Sequence, residues 1–311
     1  MRTVGWIDSD SFDKHAHGEG HPERPERLDA IRNAFARRGL DTRLVRTRAR
    51  PAPRELLEAV HTPGHVAALE RLCQNGGGAI DPDTRVVPAS WDAAVEAAGA
   101  AVQAVDAVLA GTWQRAFCSV RPPGHHATVA QAMGFCIFDN VACGAEHALA
   151  TREVKRVAIL DWDVHQGNGT QDIFWERSDV LFVSWHQYPF YPGTGALDDI
   201  GAGPGLGATV NCPIAAGEGD GALLQNWEKR VRPALENFMP ELLFISAGFD
   251  ADRRDPLGGL TVTPAGFERL SAAVVAWADT HCAGRVISML EGGYSLEALG
   301  EDVSVHVETL L

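Results

Sequence analysis

Five times along this chain, a run of four or five apolar residues stops abruptly at a polar, glycine-rich turn. Ala116–Val120 runs into Arg121-Pro-Pro-Gly-His125-His126, and Val157–Leu160 into Asp161-Trp-Asp163-Val-His165. Val180–Val183 runs into Ser184-Trp185-His186, Leu242–Ile245 into Ser246-Ala-Gly-Phe-Asp250, and Val286–Leu290 into Glu291-Gly-Gly-Tyr294. Continuous apolar runs of this length read as strands buried on both faces. Helical patterns alternate with them: Glu26 to Arg38, closed by Gly39; Ser90 to about Ala110, with Ser90 as its cap; Asn140 to Ala150; Leu223 to Phe238; and Pro264 to Asp279, with Thr263 before it as cap. Strands alternating with helices predict an α/β fold whose parallel sheet is covered on both faces. Ligands of such sheets bind beyond the carboxyl ends of the strands. That edge gathers His125, His126, Asp163, His165, Asp250 and Tyr294.

The turn residues suit one kind of chemistry. Alternate residues leaving a strand point the same way, so Asp163 and His165 can converge on one metal ion, with Asp250 as a third ligand. Two carboxylates and one imidazole suit Zn²⁺ at ~2.0–2.2 Å and leave a position open for water and substrate. By itself the same pattern is equally a hydrogen-bonded polar loop. Adjacent loop histidines are expected to diverge, so His125 and His126 are read as sharing proton transfers rather than binding one ion. Asp161 and Asn168 are candidate partners that fix their tautomers: an aspartate favours the imidazolium, a neutral amide leaves a base. The Tyr294 hydroxyl can donate to the oxyanion of a tetrahedral intermediate. Phe135 and Tyr191 read either as core packing or as aromatic walls around a long aliphatic chain.

Composition narrows the class. The net charge of -14 argues against a nucleic-acid platform, which needs a basic stripe, and fits cationic substrates. The six cysteines form no CxxC pair and read as reduced core thiols. The start, MRTVGWIDSD, lacks the pattern of a signal peptide, and the apolar stretch from Ala89 to Ala110 is broken by Asp92, Glu96, Gln103 and Asp106. No membrane span is therefore expected, and the cytoplasm follows by elimination.

Taken in order, the motifs resemble the histone deacetylase family, within the arginase–deacetylase fold. The carrying segments are HPERPERL at 21–28, RPPGHHA at 121–127, GFCIFDN at 134–140, DWDVHQGNGTQD at 161–172, YPGTG at 191–195, SAGFDA at 246–251 and EGGY at 291–294. The resemblance implies a single catalytic domain over residues 1–311, with an eight-stranded parallel sheet flanked by helices. It implies Asp163, His165 and Asp250 as zinc ligands, His126 as general base and acid, and His125 as its electrostatic partner. Asp161 stands behind His125, Asn168 behind His126. Tyr294 is the oxyanion tyrosine, and Phe135 and Tyr191 are tunnel walls. Structural potassium is implied at Asp161, Asp163, His165, Ser184 and Trp185, and at Phe174, Arg177 and Val180. Asp81 or Asp83, before Thr84, matches the rim aspartate that grips substrate backbone.

The implied reaction is zinc-dependent hydrolysis of acetyl-lysine, in a protein or peptide, to lysine and acetate. Asn168, EGGY and DWDVH resemble the class II branch, where Gln166 departs from the usual second histidine. Acetylpolyamines or other small acylated amines are an alternative substrate class. Leu257, following Asp255-Pro256 where polyamine-preferring relatives carry glutamate, argues against them. The spacing of Asp250, Asp252 and Asp255 also fits a two-metal arginase-like enzyme. A non-catalytic acyl-lysine binding protein is the reading from outside enzymes.

Overall fold

Each of the five apolar runs forms a strand buried along its length, because helices cover the sheet on both faces. The structure, a computed structural model, describes residues 3–311. Its strands are β1 (Val4–Asp8), β2 (Val45–Arg48), β3 (Gly78–Ala79), β4 (Arg85–Val86), β5 (Arg115–Cys118), β6 (Val157–Asp161), β7 (Val180–Gln187), β8 (Thr209–Ile214), β9 (Leu242–Ala247) and β10 (Val286–Leu290). β3 and β4 form a small antiparallel ribbon. The other eight make one sheet in the order β2-β1-β5-β10-β9-β6-β7-β8, every pair parallel. The expected α/β architecture is therefore present. β7 continues through Gln187, so Ser184, Trp185 and His186 are strand residues and not the turn expected for them.

The helices are α1 (Glu26–Arg38), α2 (Arg54–Val60), α3 (Pro63–Gln74), α4 (Ser90–Leu109), α5 (Asn140–Thr151), α6 (Asn168–Phe174), α7 (Asp220–Asn226), α8 (Arg232–Phe238), α9 (Pro264–His281) and α10 (Leu296–Leu310). Gly39 closes α1 in the left-handed conformation at φ 67°, and Thr263 caps α9 by accepting from Gly266 N. Two details differ from expectation. Ser90 does not cap α4 but is its first residue; its hydroxyl accepts from Val87 N and meets His15 Nδ1 instead. The helix expected over 223–238 is divided by a π-helical turn at Trp227–Val231. That wide turn lies just before Pro233, which has no N–H to continue the regular ladder.

Alternate strand residues face opposite helical layers. In β5, Cys118 Sγ reaches Ala100 O of α4, while the Phe117 ring lies 6.2 Å from His306 of α10. His306 is buried between Ser271 of α9 and Ser288 of β10, 2.8 Å from each hydroxyl. The four central strands also end level. Cys118 lies opposite Met289, Leu290 opposite Ala247, and Asp161 opposite Ser246. The loops after β5, β6, β9 and β10 therefore leave the sheet side by side. All six cysteines are buried and free. Among the described residues, no helix is long and apolar enough to cross a membrane.

Candidate active site and metal centre

β6 ends at Asp161, and the chain turns at once because Asp161 Oδ1 accepts from Asp163 N at 3.1 Å. Asp163 Oδ1 then accepts from His165 N at 2.9 Å, fixing the next turn. His165 Nδ1 comes to lie 3.1 Å from Asp163 Oδ1 and 3.2 Å from Asp250 Oδ2. The outer carboxylate oxygens are held by backbone: Gly292 N donates to Asp163 Oδ2, Val164 N to Asp250 Oδ1, each at 2.8 Å. Gly292 must be glycine, since a Cβ there would strike both carboxylates. Ligand atoms of the three residues all lie within 4.8 Å of one another.

The charge balance of this trio calls for a cation at its centre. Burial and the neighbouring Asp163 push Asp250 up to about 7. Burial alone would lower His165, but hydrogen bonds to Asp163 and Asp250 raise it to about 10. Two dry carboxylates sharing one imidazole are costly unless a positive charge compensates them. An N,O,O donor set of this spacing fits a tetrahedral zinc site with one position open.

The histidine pair lies beside that trio. Against expectation the two rings do not diverge; their centroids are 4.0 Å apart. Glu291 explains this, because its carboxylate accepts from both Gly124 N and His125 N and holds the loop tightly folded. His125 Nδ1 lies 2.9 Å from Asp161 Oδ2, and His126 Nδ1 lies 2.7 Å from Asn168 Oδ1 at the start of α6. The partners push the two rings in opposite directions. Burial disfavours charge on His125, but Asp161 and then Asp163 outweigh it and raise its pKa well above 6.5. Burial, with His125 and His165 beside it, lowers His126 well below 6.5. Asp161 thus favours the imidazolium form of His125, while Asn168 and burial favour the neutral form of His126, a division suited to proton-transfer chemistry.

A cavity of about 130 Å³ leads to these groups. Of its lining residues, His126 and Tyr294 are buried, His165, Phe135 and Leu257 half-buried, and Tyr191 and Asp83 exposed, which puts Asp83 on the solvent side. Tyr294 is only 8% exposed, and burial raises its pKa, so its hydroxyl keeps its proton to donate. Asp255 Oδ2 accepts from Tyr294 N and Ser295 N and fixes that loop.

Residues 21–310 match the histone deacetylase domain. The chain belongs to the histone deacetylase family. Its relatives include the histone deacetylase-like amidohydrolase of Pseudomonas aeruginosa, 42% identical over 89% of this chain and 73% of that protein. The polyamine deacetylase HDAC10 of Homo sapiens is 41% identical over 93% of this chain and 44% of its own length. Among solved structures, the HDA15 HD domain superposes with a TM-score of 0.95 at 38% identity, over 99% of this chain and 88% of that one. These relatives are hydrolases in kind, and the sheet described above is that of the arginase–deacetylase fold.

The family frame also sorts the remaining residues. Asp83, not Asp81, reaches the cavity; Asp81 turns inward to accept from Asp83 N and Thr84 N. Gln166 is buried away from the trio, bonded to Gln171, Asn211 and Thr194, and ties the 191–195 loop to β8. Asp252 is engaged by Arg254 through both oxygens, which leaves it unsuited to hold a second, arginase-like metal. Ser184 lies opposite Asp161 in the sheet, with Trp185 next to it, beside the trio. Phe174, Arg177 and Val180 lie instead between the end of α6 and the start of β7, where Arg177 N donates to Phe174 O.

Sequence reasoning missed three contributors. Phe190 stacks on His165, with centroids 5.4 Å apart at 17°. Glu291 clamps the histidine loop. Glu23 pairs with Arg121 at that loop's start and with Arg27, whose Nε donates to Gly293 O beside Tyr294. The EGGY and HPERPERL motifs covered Glu291 and Glu23, but in EGGY the signal came from the glycines and tyrosine, and neither glutamate was given a role.

Proposed function

We propose that the chain is a zinc-dependent lysine deacylase that hydrolyses the amide of acetyl-lysine, in a protein or peptide, to free lysine and acetate. The observation that carries this reading is a pair of histidines with different partners, Asp161 for His125 and Asn168 for His126, beside an N,O,O trio and a cavity lined by Phe135, Tyr191, Leu257 and Tyr294. His165 Nδ1 and the carboxylates of Asp163 and Asp250 would hold the metal. Zinc, when bound, supplies Lewis-acid polarisation of the amide carbonyl and acidifies water.

The protein's own groups do the rest. Neutral His126, oriented through Nδ1 by Asn168, takes a proton from the attacking water at its other ring nitrogen. It then gives that proton to the leaving amine. His125, kept cationic by Asp161, stabilises negative charge nearby without losing its proton. Tyr294 donates its hydroxyl hydrogen to the oxyanion. Phe135, Tyr191 and Leu257 grip the aliphatic stem and exclude water. Asp83 accepts an N–H from the substrate at the rim. Structural potassium at Asp161, Asp163, His165, Ser184 and Trp185, and at Phe174, Arg177 and Val180, is proposed on the family resemblance alone. The catalytic unit is taken as one domain acting in the cytoplasm.

Acylated polyamines are a second reading, because a relative of 41% identity is named a polyamine deacetylase. Leu257 on the cavity side argues for the lysine stem instead. The test is to incubate zinc-loaded protein with an acetyl-lysine peptide and quantify free lysine amine. Release that collapses in Tyr294→Phe supports the reading. No release, with zinc bound, refutes peptide deacetylation and directs attention to acetylpolyamines and then to a binding-only role.

A further inference from the structure

We infer that His21 and Thr84 are positioning residues that lock Asp83, the proposed acceptor of a substrate N–H at the rim, to the cavity wall at Phe135. The inference rests on the deacylase reading above.

The turn that carries Asp83 is shaped by Asp81, whose Oδ1 accepts from Asp83 N at 3.0 Å and from Thr84 N. That fixes the turn's own geometry but not its place against the cavity. Two further groups do so. The Thr84 hydroxyl donates to Asp83 Oδ1 at 3.1 Å and accepts from Phe135 N at 3.0 Å. One oxygen thus joins rim and wall, and Asp83 Oδ2 remains to accept from a substrate. The second group is His21, whose Nε2 lies 3.1 Å from Asp83 O.

The donor role of His21 Nε2 follows from its partner. Asp83 O can only accept, so Nε2 carries a proton and donates to it, while Nδ1 lies between Glu23 N at 3.1 Å and Glu23 O at 3.2 Å. Burial lowers the His21 pKa and favours the neutral form. The ring plane is set by stacking on His17 at 4.3 Å and by an edge contact with Phe135 at 4.6 Å. His17 is pinned in turn by Arg85 N and by Glu23. A continuous set of contacts therefore runs from the buried Glu23 ion cluster to the rim. The chemical class it serves is an N–H donor one stem length from the acyl nitrogen. A peptide backbone amide fits a carboxylate already oriented by Thr84, and a distal ammonium offers the same donor chemistry.

The experiment compares steady-state kinetics of the zinc-loaded full chain on three substrates: an acetyl-lysine peptide, the same peptide N-methylated at the backbone nitrogens flanking acetyl-lysine, and an acetylated diamine. For His21→Ala, KM for the first peptide should rise about fivefold to tenfold, the worth of one hydrogen bond, with kcat within twofold. KM for the N-methylated peptide should hold, and His21→Gln should restore the first peptide by donating from its amide. Thr84→Val should act in the same way and Thr84→Ser should not. A KM rise confined to the diamine would support the positioning role and assign the donor to an ammonium. Equal losses of kcat on all three substrates, or an unchanged KM in both His21→Ala and Thr84→Val, would overturn the inference while leaving the hydrolase reading intact. Absence of wild-type turnover on every substrate would remove that reading and this inference with it.

Discussion

Among the described residues, three clusters have the residue types and spacing of metal ligands, one of them His125, Cys136 and Glu291, and the other two form a contrast: Asp163, His165 and Asp250 on one side, His15, His17 and Glu23 on the other. Their surroundings make them opposites. Glu23 is enclosed by Arg121 and Arg27, so its charge is already met. His17 Nδ1 accepts from Arg85 N, which puts that ring's proton on Nε2, the atom facing His15 and Glu23. A ligand nitrogen must be bare there, so the cluster is complete without an ion. Around Asp163 and Asp250 the donors are backbone N–H groups and the shared His165 imidazole, and the nearest other ring, His125, reaches only Asp163, with Nε2 3.8 Å from Oδ1, leaving Asp250 with His165 alone. Residue types alone do not distinguish the two; charge balance and tautomer do.

The largest expected effect breaks the open cluster. Asp250→Ala should reduce zinc content, read by mass spectrometry, from one per chain to a small fraction. It should lower amide hydrolysis by on the order of 10³-fold or more, since the metal supplies several kcal/mol at ~1.4 kcal/mol per decade. Tyr294→Phe should keep the zinc and cost kcat about 10²–10³-fold, the range seen for a lost oxyanion donor. Equal zinc loss in both variants would show that Tyr294 acts on the metal site's integrity and not on the oxyanion.

Breaking the closed cluster should leave the metal alone. Glu23→Gln strands two buried guanidiniums and should cost roughly 3–5 kcal/mol in urea unfolding, with zinc still at one per chain. Zinc loss without destabilisation would invert the comparison. The gentlest probe is acid. Burial holds His15, His61 and His306 down to about 3, far below the unfolded value of 6.5. The unfolded chain then binds more protons than the folded one, so this stability is full above pH 6.5 and is lost as pH falls toward 3. Each imidazole contributes about 1.4 kcal/mol per pH unit in that window. Urea midpoints at pH 7 and pH 5 measure it, and a flat profile would contradict the neutral state assigned to these rings.

The same contrast marks how far the sequence could be read. Apolar runs ending in polar turns announced β5, β6, β7, β9 and β10, and the rule for strand ends brought Asp250 to His165 across 85 positions. β1, β2 and β8 of the large sheet escaped because their sequences, VGWID, VRTR and TVNCPI, carry no unbroken apolar run of four. Glu23 escaped for a different reason. Among the arginines of HPERPERL it has the look of a solvated charge, and its partner Arg121 is 98 positions away. Local pattern reports which face is buried; it does not report which buried charges have already found each other. Phe190 was hidden in the same way, since its contact with His165 depends on how the loop after β7 folds back over the sheet edge.

Protein stripped with a chelator and titrated with Zn²⁺ would put the central claim to the most direct test, following free lysine amine from an acetyl-lysine peptide. Activity should return linearly and saturate at one equivalent per chain, in wild type and in Glu23→Gln alike, while Asp250→Ala stays flat. Activity that survives stripping, or that returns only with two equivalents of Mn²⁺, would contradict it.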